Sequence, residues 1–185
     1  MAKSIKFDIL SLSSIKEAKQ QLIDYRNSLR GKCDLLVERL SEIGLSVIES
    51  KVQESPLGVY VTINAVSELI PNGSKMVLVA KGKVFEDLMN SHGEKYKPFS
   101  TILAIEFGSG ISYNPEPNPN AKEYGYGVGT YNPEGVNAYK DGWYFWNNKT
   151  KTLDYTKGIK ATMPMFEAKD LLDNIKFVVA REVFK

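Results

Sequence analysis

The sequence predicts an α+β fold, and three stretches carry that reading. Apolar residues recur at helical spacing from Ile15 to Val47, strict alternation takes over from Val59 to Ala65, and a second helical stripe runs from Ala168 to Val183. Helical and extended patterns that occupy separate stretches of chain mark this class. The expected architecture is an N-terminal strand and helices, an antiparallel β-hairpin, a long aromatic loop, and a C-terminal helix packed on the sheet. A chain of 185 residues is expected to form one domain over 1–185, with an extended loop insertion at about 108–155.

The elements follow in order. Ile5, Phe7 and Ile9 alternate and predict a short first strand. Ser14-Ile15-Lys16-Glu17 has the pattern of a capping box, in which the serine oxygen bonds an amide of the first turn and Glu17 reaches back. Ile15, Ala18, Leu22, Tyr25 and Leu29 then keep helical spacing up to a break at Gly31. Leu36, Leu40, Ile43 and Val47 predict a second helix, ended by Ser55-Pro56 because a residue before proline avoids helical geometry.

Val59, Val61, Ile63 and Ala65 alternate with polar partners as a half-buried strand does. Pro71-Asn72-Gly73 has turn chemistry, and Met76 to Ala80 is the natural antiparallel partner. Val84 to Met89 suits a short helix or an extended stretch, and Ser100 to Phe107 suits a buried strand or a short helix. From Gly108 to Tyr155 no periodicity survives, apart from a hairpin strand at Trp143 to Trp146. The prolines between Asn114 and Asn120 exclude helix and central strand there. Loops of that length are usually functional or disordered, and the aromatic content argues against permanent disorder. Pro164 suits a first helical turn, and Ala168, Leu172, Ile175, Val179 and Val183 form the stripe of the last helix.

Composition narrows the function classes. A net charge of +2 gives no strong general attraction to nucleic acid or to a membrane. Cys33 is the single cysteine, which rules out an internal disulfide and a thiolate metal cluster. His92 is the single histidine, so a two-histidine metal site is also excluded. The N-terminus lacks the apolar core of a signal peptide, and no apolar run approaches the roughly 20 residues that span a bilayer. The expectation is a soluble intracellular product without a cofactor.

Few residues invite a chemical role. Glu106 stands beside a glycine turn, but general acid–base work needs a second carboxylate or a histidine, and none is named nearby. A cap or ion pair at the end of its element is the preferred reading. Gly108-Ser109-Gly110 and Gly125-Tyr126-Gly127-Val128-Gly129 lack the Gly-Lys-Ser/Thr ending of a phosphate loop and read as turns. Trp143, Tyr144, Phe145 and Trp146, with Tyr124, Tyr126 and Tyr131, can serve as an anchor for a protein partner, as a stacking surface for a sugar or single-stranded nucleic acid, or as a local core of the loop. Lys140, Lys149, Lys151, Lys157 and Lys160 lie near them against Asp141 and Asp154, a mild positive excess that could meet an acidic partner ring.

Two motifs in a fixed order carry a resemblance. Glu106-Phe107-Gly108-Ser109-Gly110 closes one apolar segment. Thr156-Lys157-Gly158 through Met163-Pro164-Met165-Phe166 leads into the last helix. This arrangement, after a strand, a helical pair ending at Ser-Pro and a hairpin, resembles the tail-completion (neck, head–tail joining) proteins of tailed bacteriophages of the HK-ninety-seven type. The family usually reads Glu-Phe-Gly-Thr-Gly, so Ser109 keeps the hydroxyl of the commoner threonine. The insertion between the motifs is longer and more aromatic than the family pattern. The resemblance spans most of the chain and implies a structural virion protein rather than an enzyme, assembled in the bacterial host cytoplasm. It further implies a homo-oligomeric ring (a hexamer is one such ring) at the head–tail junction. The ring would contact connector or stopper, tail terminator or tail tube proteins, and lie near channel DNA without reading it; no membrane is involved. A carbohydrate- or receptor-binding module using the aromatic loop is the alternative.

Overall fold

The computed structural model describes residues 8, 11–71, 73–86, 98–110, 143–147 and 150–185. Its architecture is α+β: three helices with small antiparallel pairs of strands. The first strand expected from Ile5 to Leu10 lies outside the described residues except at Asp8, which has no regular structure.

Helix α1 runs from Leu12 to Gln53 as one 42-residue element, about 63 Å long at 1.5 Å per residue. The sequence pattern predicts two helices parted at Gly31, and the structure corrects this to one. A glycine in a helix interior costs only about 1 kcal/mol relative to alanine. A Cβ at Gly31 would meet nothing within 4 Å, so no neighbour forces a bend there. The cap also moves. Ser11 is the N-cap and accepts from the Ser14 N–H at 3.3 Å, while the Ser14 hydroxyl accepts from the Asp8 N–H at 2.9 Å. Ser55-Pro56 ends the helix as expected: Ser55 is buried, its N–H donates to the Val52 carbonyl, and its hydroxyl accepts from the Leu57 N–H.

A 3-10 turn, Gly58–Tyr60, leads into β1 (Val61–Ile70), which pairs antiparallel with β2 (Gly73–Gly82) from Val61↔Gly82 to Ile70↔Gly73. Val61, Ile63 and Ala65 are half-buried and Thr62 and Asn64 exposed, the expected alternation. Val59, read as the first residue of that strand, instead lies in the turn and is 84% exposed. Strand β3 (Val84–Phe85) pairs with β4 (Phe99–Ser100), so Val84–Phe85 is extended. Then come α2 (Thr101–Phe107), β5 (Ser109–Gly110), β6 (Trp143–Asn147), β7 (Thr152–Thr156), β8 (Gly158–Ile159) and α3 (Pro164–Val183).

The sequence places the last helix on the hairpin; the structure places it chiefly along α1. Ala168 joins Ile48 and Val52 in the buried cluster, and the Lys32 ammonium lies 5.9 Å from the ring centre of Phe184, so the two helices run antiparallel. The hairpin lies along the same α1 segment, with Ser74 near its tip hydrogen-bonded to Asp34. Gly44 explains how both fit. A Cβ there would sit 2.5 Å from Cδ1 of Leu78 on β2 and 3.1 Å from Cδ1 of Leu172 on α3. The missing side chain lets strand, helix and helix meet at one point. Val47, Val61, Ile63, Leu78 and Met165 pack around the cluster. Ile48 is fully buried, which contributes about 1.5–3 kcal/mol for that side chain.

Candidate functional site

The two sequence motifs meet in space at α2. This short helix begins where the hairpin ends. The N–H and the hydroxyl of Thr101 both donate to the Lys83 carbonyl at 3.0 Å. A Cβ on Gly82 would lie 2.5 Å from Thr101 Oγ1 and 2.7 Å from the Ile102 nitrogen, so only glycine admits this approach. Thr101, Ala104 and Ile105 are fully buried and Glu106, Phe107 and Ser109 nearly so. The apolar run that suited strand or helix is helical, held by hydrogen bonds at its start that the residue pattern does not reveal.

Glu106 does not cap its own helix. Its carboxylate accepts from the N–H groups of Met165 (Oε2, 2.9 Å) and Phe166 (Oε1, 3.0 Å), in the first turn of α3. The need is local. The N-cap of α3 is Met163, which has no polar side chain and a left-handed backbone (φ 49°). Pro164 at the first position has no N–H to satisfy. The Met163 and Thr162 N–H groups donate to the Ile105 carbonyl, and Glu167 begins the intrahelical series by donating to Met163. Every donor of the helix start is thereby accounted for. A negative group at a helix N-terminus also meets the positive end of the helix dipole.

Gly108 completes the junction. Its φ of 75° and ψ of 167° fall in a region that is essentially glycine's alone. A Cβ there would press on the Ala161 nitrogen and the Ile159 carbonyl at 3.1 and 3.2 Å. Directly after it, Ser109 pairs with Ile159 and Gly110 with Gly158 in an antiparallel bridge. Gly158 also has positive φ, 90°. Pro164 is fully buried, Phe166 is 40% exposed and Lys157 is exposed. Thus Glu106, Gly108, Ser109 and Gly110 engage Gly158 to Phe166 residue by residue. The hydroxyl of Thr162 is buried in this junction without a hydrogen-bond partner among the described residues.

The aromatic residues are placed only in part. Trp143, Tyr144, Phe145 and Trp146 lie in β6, paired with β7 from Trp143↔Thr156 to Asn147↔Thr152, which bears out the hairpin strand read there. Tyr124, Tyr126, Tyr131, Lys140, Asp141, Lys149 and His92 lie outside the described residues. Asp154 is half-buried, with Thr152 donating to it at 3.0 Å.

Both Glu106 oxygens face backbone donors, the arrangement of a structural carboxylate. No group of three or more His, Cys, Asp or Glu side chains that could hold a metal occurs among the described residues. A shallow open depression of about 290 Å³ is bordered by Ser46, Val47, Ser50 and Lys51, all on one helix, without the convergent groups of a ligand site. Among the described residues no helix is long and apolar enough to cross a membrane. Sequence reasoning missed the exposure of the apolar stripe on the first half of α1, since spacing alone does not say what covers a face.

Comparison of the chain with protein-family models, with curated proteins and with solved structures gives no match in any of the three.

Proposed function

We propose that the chain is a structural virion protein of a tailed bacteriophage, acting at the head–tail junction in ring assembly and head–tail joining. One observation supports the reading most. The two motifs on which the resemblance rests, Glu106 to Gly110 and Lys157 to Phe166, engage each other through the Glu106 carboxylate and the Ser109–Ile159 bridge. A pair of short motifs that build one joint has a structural reason to occur together in that order. The joint holds α2, α3 and the two ends of the intervening segment. In this reading the helical core is a mount, and the segment between Gly110 and Lys157 meets neighbouring subunits, the connector or the tail terminator. Interface energy would come mainly from aromatic anchors, with charge setting register.

Deletion of the gene from its parent phage or prophage, followed by electron microscopy of the particles, tests the proposal. Filled heads with separate tails, or tails of abnormal length, are the expected result. Intact, joined and infectious virions would remove it. Joined particles that fail to adsorb would move the aromatic segment to a receptor- or glycan-binding role.

A further inference from the structure

The first half of α1 leaves most of its large apolar side chains exposed, Ile15, Leu22, Tyr25 and Leu29 among them. The contacts described above, from Phe184, the hairpin tip and the buried cluster, all fall at Lys32 or beyond. The twenty or so residues before Lys32 extend about 30 Å further. Ile15, Ala18, Leu22, Tyr25 and Leu29 there are spaced three, four, three and four apart, with Leu12 and Ile23 off that line. That is the seam spacing of a coiled coil. Ala18 is buried, but Leu22 is 57% and Tyr25 49% exposed. A solvated helix does not need such a seam, and its regular spacing is one that another helix can match.

Charge selects the occupant. On a helical projection Lys19 and Arg26 line one edge of the seam, with Lys16, Ile23 and Arg30 farther round, and Gln21 and Ser28 line the other, with Glu17 and Asp24 farther round on that second side. Two copies of the seam docked antiparallel bring the Lys19 and Arg26 edges together. Docked parallel, they set these cations against Gln21 and Ser28 and supply no acid. An anionic lipid surface suits it poorly, because Glu17 and Asp24 share the helix. We infer that the Ile15–Leu29 seam is a docking surface for one helix of another protein, apolar along its own seam and carrying Glu or Asp on the edge that faces Lys19 and Arg26. The inference stands apart from the neck proposal, since it concerns neither motif nor the aromatic segment.

Two synthetic 21-residue heptad peptides test it against the full chain, identical in their Ile/Leu seam and differing only in Glu or Lys at the flanking positions. The Glu peptide is expected to bind, about tenfold or more tighter than the Lys peptide, like-charge edges being costly. Higher salt should narrow the gap. Lys19→Glu with Arg26→Glu should reverse the preference. Leu22→Asp should abolish binding while leaving the circular dichroism spectrum and melting temperature unchanged, because Leu22 is exposed. Binding of neither peptide, or equal binding of both, overturns the inference. So does a dimer by light scattering that Leu22→Asp dissociates, since the occupant would then be a second copy.

Discussion

The Glu106 carboxylate accepts a hydrogen bond from the Phe166 N–H at 3.0 Å, across 60 residues of sequence. Its other oxygen takes the neighbouring Met165 N–H. One side chain from the middle of the chain thus seats the start of the last helix.

Glu106→Gln keeps one acceptor but points an amide N–H₂ at a backbone donor, and it removes the charge. Hydrogen bonds to a charged group are worth about 1.5–3 kcal/mol each, so a loss of about 2 kcal/mol is expected, and more for Glu106→Ala. Urea unfolding monitored by circular dichroism measures it. An unchanged midpoint at unchanged slope would mean that the carboxylate is dispensable.

Gly108→Ala is expected to cost more than an ordinary glycine substitution. The backbone conformation alone carries about 1–3 kcal/mol of strain for a residue with a Cβ. The atoms met are backbone atoms of Ile159 and Ala161, which cannot swing aside. Gly108→Ala should therefore lower the melting temperature clearly, and a variant as stable as the parent would show that the turn adopts another geometry in solution.

The two glycines of α1 should answer in opposite directions. Gly31→Ala adds a methyl into open space and removes backbone freedom from the unfolded chain, for a gain of about 0.4–1 kcal/mol. Gly44→Ala receives the same helical benefit but drives its methyl into Leu78 and Leu172, and overpacking of this kind costs about 1–3 kcal/mol. Net destabilisation by about 1 kcal/mol is the expectation. Equal stabilisation by both would show that the three-way contact at Gly44 is loose.

Thr162→Val replaces a buried hydroxyl that lacks a partner among the described residues with a methyl of similar shape. Leaving such a group unsatisfied costs about 1–3 kcal/mol, so the valine variant should be more stable, by about 1 kcal/mol. Destabilisation would reveal a hydrogen bond to that hydroxyl in solution.

Asp173 bonds Lys176 and Lys169, and these ammonium groups, Lys176 foremost, hold its carboxyl below the ordinary 3.8. A lowered folded-state value means a stability contribution that is fully present above 3.8 and lost as pH falls through the folded value. The carboxyl is solvent-exposed, so the contribution is small. A carbon-detected NMR titration should give a midpoint below 3.8, moving up in both Lys176→Ala and Lys169→Ala.

What the sequence disclosed follows from the range of each interaction. The hairpin and α3 were legible because their apolar residues repeat at 2 or 3.6 positions and face one partner, as Val61, Ile63 and Ala65 do in β1 and Ala168, Val179 and Val183 in α3. Gly31 misled because a single unfavourable residue is absorbed by a long cooperative helix. Ser14 looked like a cap because it shares the chemistry of Ser11, and only the first free amide decides between them. The role of Glu106 was legible as a cap but not as a cap of α3, since nothing local marks a partner 59 residues away. The packing of α3 on α1 depends on the gap at Gly44, which a sequence shows only as an absent side chain.

The bridge between Gly110 and Gly158 sets both ends of the intervening 47 residues one strand spacing apart, about 5 Å. A segment held this way transmits almost none of its own length to the body that carries it. Doubling a flexible loop costs only about 0.6 kcal/mol in closure entropy. The chain is thus built as a chuck with an exchangeable bit: Glu106, Gly108 and Gly158 grip the shank, and evolution or a designer can lengthen, trim or replace the residues between Gly110 and Gly158 without reseating the three helices.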